Sequence, residues 1–332
     1  MSKEQSTIIK GVAILMMLFY HLFNRAEVAD LCSPLIMIGK QPLVHYISQA
    51  CYPVTFFLIL SGYGLSFLYT HNRLSLISER KRLISLYIHY WLILLIFIPI
   101  AYMLYPEMYK YDTLHLIGNV TAIRCNYNGE AWFLFPYAII CLTALPVIRY
   151  ISCLDNKQQW LLTVCCYGVL FVGVKWMINN LSDNILLNIL QTQIAYYVIL
   201  LFYFVLGIIL FRLLHSCSPL KTGKWYIYAL LLGCLVVVKS MFKITIADGL
   251  YALLFIVLFL RIPLNSYVAH ILHALGRHSM PMWLTHTFYC AYLFSDFIYG
   301  FRYPLLIFLA LVTVSYMTAI PVMWLGKKIL NS

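Results

Sequence analysis

Charge is what this chain has least of. Asp, Glu, Lys and Arg supply 10% of its 332 residues, with 11 acidic against 23 basic side chains. At 63% hydrophobic residues and a mean hydropathy of +0.85, too little polar surface remains to cover a water-soluble globule. Metal-ligand spacing is missing as well. Of the ten cysteines, Cys141, Cys165, Cys166, Cys234 and Cys290 sit inside apolar runs as small packing residues, and no His/Cys zinc pattern forms. Cys32, Cys51 and Cys125 lie in or near outer loops, where a disulfide among them is one reading. There is no internal repeat, low-complexity tract or long linker. The expectation is one integral-membrane domain over residues 1–332, with no appended soluble domain and no metal.

What is present is a series of apolar runs, each long enough to cross roughly 30 Å of hydrocarbon as a helix of about 20 residues. They predict an all-α polytopic bundle with ten helices near residues 8–24, 45–69, 84–104, 131–150, 159–177, 192–213, 225–240, 244–261, 279–298 and 304–325. The first run has no small-x-small cleavage site, so it reads as a transmembrane helix and not a removed signal peptide. A cytoplasmic N-terminus puts fifteen Lys/Arg inside, among them Arg73, Arg212, Lys221 and Lys327, and eight outside, which predicts that both termini are cytoplasmic. The net charge of +12 is scattered over short loops, so topology explains it better than nucleic-acid binding. Lys239 and Lys243 bracket a tight outer turn between the seventh and eighth helices, where one re-entrant segment is the alternative.

Against that apolar background, a few polar side chains stand out. His21 lies eleven residues beyond Lys10, about 16 Å up a helix at 1.5 Å per residue, hence near mid-membrane if Lys10 marks the interface. A neutral imidazole there can accept a hydroxyl proton, or can simply bond another helix. His286, in Gly276-Arg-His-Ser279-Met-Pro-Met-Trp283-Leu-Thr-His286, is a second intramembrane histidine. Asp248 and Asp296 lie in or at the ends of apolar runs without an evident partner. Ser61-Gly62-Tyr63-Gly64 allows close approach of a backbone within the chain, of a second copy in a homodimer, or of a ligand. Arg80-Lys81-Arg82, followed by Tyr87, His89 and Tyr90, suits the phosphates of a cytosolic nucleotide-like donor or serves as a positive-inside signal. Gly129-Glu130-Ala-Trp132-Phe133 places a carboxylate and an aromatic pair at the outer entry of the fourth helix.

Taken in order, Lys10-Gly-Val-Ala-Ile…His21, Phe56-Phe-Leu-Ile-Leu-Ser61-Gly-Tyr63, the basic run at 80–82, Ala131-Trp-Phe-Leu134 and Gly276…His286 resemble the integral-membrane acyltransferase-3 family, whose members modify bacterial surface carbohydrates. The resemblance implies acyl-CoA, acetyl-CoA by default, as a cytoplasmic donor. It also implies a hydroxyl of a surface polysaccharide, oligosaccharide or lipid-linked sugar as acceptor, in the bacterial cytoplasmic (inner) membrane. It makes His21 the essential base, Arg82 the residue at the donor's phosphates, and Arg80 and Lys81 weaker candidates there. Ser61 and Tyr87 are further donor-site candidates, His286 and Glu130 partners of the base or acceptor, and Trp132 and Phe133 acceptor contacts. Where the family often shows a further Arg and then Tyr-Pro, this chain reads Ser85-Leu86-Tyr87-Ile88. The rival function is a carrier or flippase for a glycan or lipid-linked precursor with the histidines as proton relay, but no inverted repeat or pair of Gly/Pro-broken helices supports it.

Overall fold

The computed structural model describes residues 1–109, 113–216, 223–242 and 247–331. Nearly all of the regular structure is helical. Among the described residues the exception is a hairpin of two two-residue strands, β1 (Met37–Ile38) and β2 (Gln41–Pro42). The expected positions of Lys221, Lys243 and the start of the eighth helix at 244 lie outside the described residues.

The helices are α1 (Lys3–Phe23), α2 (Val28–Leu31), α3 (Leu43–Ser48), α4 (Pro53–Thr70), α5 (Leu76–Leu104), α6 (Thr113–Thr121), α7 (Leu134–Cys153), α8 (Asn156–Asn179), α9 (Ile185–Ser216), α10 (Trp225–Met241), α11 (Asp248–Phe259), α12 (Ser266–Arg277), α13 (Ser279–Thr287), α14 (Ser295–Tyr299) and α15 (Pro304–Asn331). Among the described residues six stretches are long and apolar enough to cross a membrane: Lys3–Phe23, Leu43–Thr70, Leu76–Leu104, Gly129–Cys153, Ile185–His215 and Pro304–Asn331. Helices α10 and α11 are apolar but shorter, and α8 carries Lys157, Gln158, Gln159 and Lys175 among its apolar residues.

Two expected helices are built differently. The run at 45–69 is α3 and α4 separated by Gln49–Tyr52, because Pro53 restrains the residue before it and restarts the helix. The run at 279–298 ends at Thr287, passes through a π turn (Phe288–Tyr292), and resumes as α14. It is preceded by α12, amphipathic and hence weak on an apolar window, in the stretch between the eighth and ninth expected helices. Helix α1 also starts earlier than its apolar run. Ser2 Oγ accepts from the Gln5 N–H while the Gln5 side chain accepts from the Ser2 N–H, a capping box that starts the helix at Lys3, seven residues ahead of Lys10. His21 lies in the last turn of α1.

The chain forms two compact units. The first comprises Met1–Phe57, His89–Tyr109 and Pro219–Ser332. Here α1 and α12 touch backbone to backbone: a Cβ on Gly11 would collide with the Leu272 carbonyl oxygen, and one on Gly276 with that of Thr7. The second comprises Leu58–Ile88 and Lys110–Ser218. In it Gly62 of α4 and Gly207 of α9 play the same part, each pressed against the other helix's backbone. Gly62 is thus used within the chain, and a Cβ on Gly64 would meet nothing within 4 Å.

Candidate active site

In the first unit, the last turn of α1 presents His21 to α13. The ring centroids of His21 and His286 are 4.8 Å apart, with the planes at 63°, an edge-to-face contact. His286 is fully buried. Its Nδ1 lies 2.6 Å from the Trp283 carbonyl oxygen, which can only accept, so Nδ1 carries a proton and the lone pair of the neutral ring is on Nε2. His21 is partly accessible where His286 is not, so of the two rings His21 is the one an incoming substrate can reach.

The end of α1 is held by its own flanking residues and by side chains from two distant segments. A helix leaves its last four carbonyls without partners in the helix. Here the Asn24 N–H donates to Tyr20 O (2.8 Å), Arg25 Nε to His21 O (3.1 Å), Tyr299 OH to Leu22 O (2.9 Å) and His45 Nδ1 to Phe23 O (3.0 Å). Arg25 also donates to Cys290 O in the π turn (3.1 Å) and lies over the Tyr299 ring, 5.8 Å from its centroid. Burial holds the Tyr299 hydroxyl above the ordinary phenol range, against the opposing charge of Arg25, so it remains a donor. Arg25 thereby locks the carbonyl of His21 to the segment that directly follows His286.

On the other flank, Tyr20 contacts both the His21 ring (centroids 5.3 Å) and Tyr52 (6.4 Å). The Tyr52 ring in turn lies under the ammonium of Lys239, 4.4 Å from its centroid. Lys239 and Asp248 form a buried ion pair of 2.6 Å joining α10 to α11. Asp248 therefore does have a partner, and Lys239 faces inward instead of marking an outer turn.

The second unit holds the donor-site candidates. Ser61 Oγ is 3.0 Å from Tyr137 OH, and Arg82 donates to the same hydroxyl (3.2 Å) and to both Glu79 oxygens (3.4 and 3.3 Å). Glu79 is buried, while the Arg82 side chain keeps 42% exposure. Arg80 and Lys81 are exposed beside it. Tyr87 points elsewhere, donating to Thr121 O at the end of α6 (3.0 Å).

Residues 5–325 match the model of the acyltransferase-3 family, an acyltransferase domain. The chain belongs to that family. No curated protein and no solved structure matches it significantly. Family and apolar helices together make this a multi-pass membrane acyltransferase.

The acyltransferase motif around 129–134 opens α7 with a 3-10 turn (Gly129–Phe133). Trp132 packs on Tyr196 of α9 (centroids 4.8 Å), whereas Phe133 is buried, stacked on Tyr137 at 5.0 Å and 25°. Glu130 lies close enough to Cys125 for its charge, added to burial, to push that thiol up to about 12. Cys32, Cys51 and Cys125 are all free thiols, so the disulfide that one reading of the sequence allowed does not form. Among the described residues no group of three His, Cys, Asp or Glu could hold a metal ion. Sequence reading missed Arg25, Tyr299, Glu79 and Tyr137. Each acts across a gap in sequence or beside a stronger signal, and a lone Arg after an apolar run looks like any loop cation.

Proposed function

We propose that this acyltransferase moves an acyl group, acetyl by default, from acyl-CoA to a hydroxyl of a surface polysaccharide, oligosaccharide or lipid-linked sugar, in the bacterial cytoplasmic membrane with both termini cytoplasmic. The observation that carries the reading is the contact of His21 with His286, held by Arg25 and Tyr299 at the end of α1. An imidazole so fixed is suited to proton transfer, which needs a positioned group more than a strong one.

In this mechanism His21 takes the proton of the attacking hydroxyl as its oxygen bonds to the thioester carbonyl carbon. It then returns that proton to the thiolate as the C–S bond breaks, giving an ester and a free thiol. His286, with its Nδ1 proton committed to Trp283 O, offers a lone pair toward its neighbours and orients the His21 ring. In the second unit, Arg82 is the candidate contact for donor phosphates, with Arg80 and Lys81 adding positive potential. Ser61 and Tyr137 hold the Arg82 guanidinium in place. The test is transfer of radiolabelled acetyl from acetyl-CoA to host surface glycan by the purified protein. Labelled glycan is the expected product. Glycan movement across vesicles with no label transferred would overturn the reading in favour of a carrier.

A further inference from the structure

The second unit contains a polar cavity that none of the histidine chemistry uses. It has a volume of about 370 Å³, within the about 300–1,000 Å³ typical of small-molecule sites. Its aromatic wall is the Trp132–Tyr196 pair. Its polar lining includes Arg124, Asn126, Asp183, Asn188 and Gln193.

The walls are held in place. Gln193 Nε2 donates to Ile123 O (2.9 Å), and the Tyr127 N–H donates to Asn119 Oδ1 (2.9 Å), fixing the loop at 123–127 from both sides. The first bond leaves Gln193 Oε1 buried with no partner among the described residues, an arrangement that costs free energy unless a ligand donates to it. Asp183 is exposed and makes no ion pair among the described residues. A carboxylate and a guanidinium of opposite charge, three amides and an aromatic face match a pyranose. Its hydroxyls donate to carboxylate and amide oxygens and accept from amide N–H groups, while its C–H face lies against the negative face of an aromatic ring.

We infer that this cavity binds one sugar unit of a neutral glycan, with Trp132 as the stacking platform and Asp183, Asn188 and Gln193 as the hydroxyl partners. The inference rests on the acyltransferase reading only for its purpose, since it makes the cavity the acceptor's recognition site. Binding itself can be read without acyl-CoA.

The experiment is saturation-transfer NMR on the full chain in a detergent without a sugar headgroup. The probes are the methyl glycosides of glucose, galactose, mannose and N-acetylglucosamine. At least one is expected to receive saturation from the parent. Trp132→Ala and Asn188→Ala, each checked for a monodisperse elution peak, should weaken binding by about tenfold or more. No transfer to any probe, or transfer unchanged in both variants, would overturn the inference. If either variant fails to fold, Asp183→Asn at the exposed rim takes its place with the same expectation. Acetyl transfer with unaltered sugar binding in the variants would sink the cavity and leave the enzyme standing. Sugar binding without acetyl transfer would do the reverse.

Discussion

Gly11 and Gly276 occupy each other's helix surface where α1 crosses α12. A Cβ on Gly276 would strike the Thr7 carbonyl oxygen and come within 3.0 Å of the Gly11 nitrogen. The glycines of two motifs far apart in sequence are thus one structural feature, and it sets the helix that carries His21.

Gly276→Ala should therefore overpack the crossing, at a cost of about 1–3 kcal/mol, seen as a lower Tm in detergent. Gly64→Ala, with nothing within 4 Å of the new Cβ, should be neutral or stabilising by up to about 1 kcal/mol, since alanine loses less backbone entropy in a helix. Equal Tm shifts for the two would refute the crossing.

Arg25 is a positioning residue. Arg25→Lys keeps the charge but replaces the rigid fork, whose Nε and Nη2 reach His21 O and Cys290 O from two separate nitrogens, with a single flexible ammonium. We expect kcat to fall about tenfold or more, with the KM for acyl-CoA little changed. A change confined to KM would place Arg25 at the donor instead.

The buried Lys239–Asp248 pair should behave asymmetrically. Lys239→Met leaves a carboxylate buried without its partner and should destabilise by about 3–5 kcal/mol, while Lys239→Met with Asp248→Leu should recover most of that loss. Thermal unfolding of the three variants measures it, and additive losses would contradict the pairing.

These contacts mark the limit of what the sequence could tell. Long apolar runs revealed α1, α5, α7, α9 and α15 because the lipid demands a continuous apolar length. The break at Gln49–Tyr52, the π turn after α13 and amphipathic α12 were hidden, since a hydropathy window averages over a kink and discounts a half-polar helix. His21 and His286 were legible because an imidazole is rare in such surroundings. Arg25, Tyr299 and Tyr137 were not, because their roles exist only through partners brought together by folding. Asp248 was visible as an anomaly, but its partner needed the structure.

The thiol of Cys125 offers a pH test outside the helices. Burial and the Glu130 charge disfavour the thiolate, raising the group to about 12, so at pH 8 almost none is reactive. Maleimide labelling followed by mass spectrometry should find Cys125 slower than exposed Cys153. Glu130→Gln removes one of the two causes, lowers the group and should speed labelling of Cys125. An unchanged rate would separate Glu130 from that loop.

The most direct measurement of the central claim is glycan-dependent release of free CoA thiol from acetyl-CoA, by purified parent, His21→Ala and His286→Ala. General-base catalysis contributes about 10²–10⁴-fold. His21→Ala should therefore lose turnover on that scale while keeping the parent's Tm and acyl-CoA affinity, and His286→Ala should lose less. His21→Ala turning over at the parent rate would contradict the account.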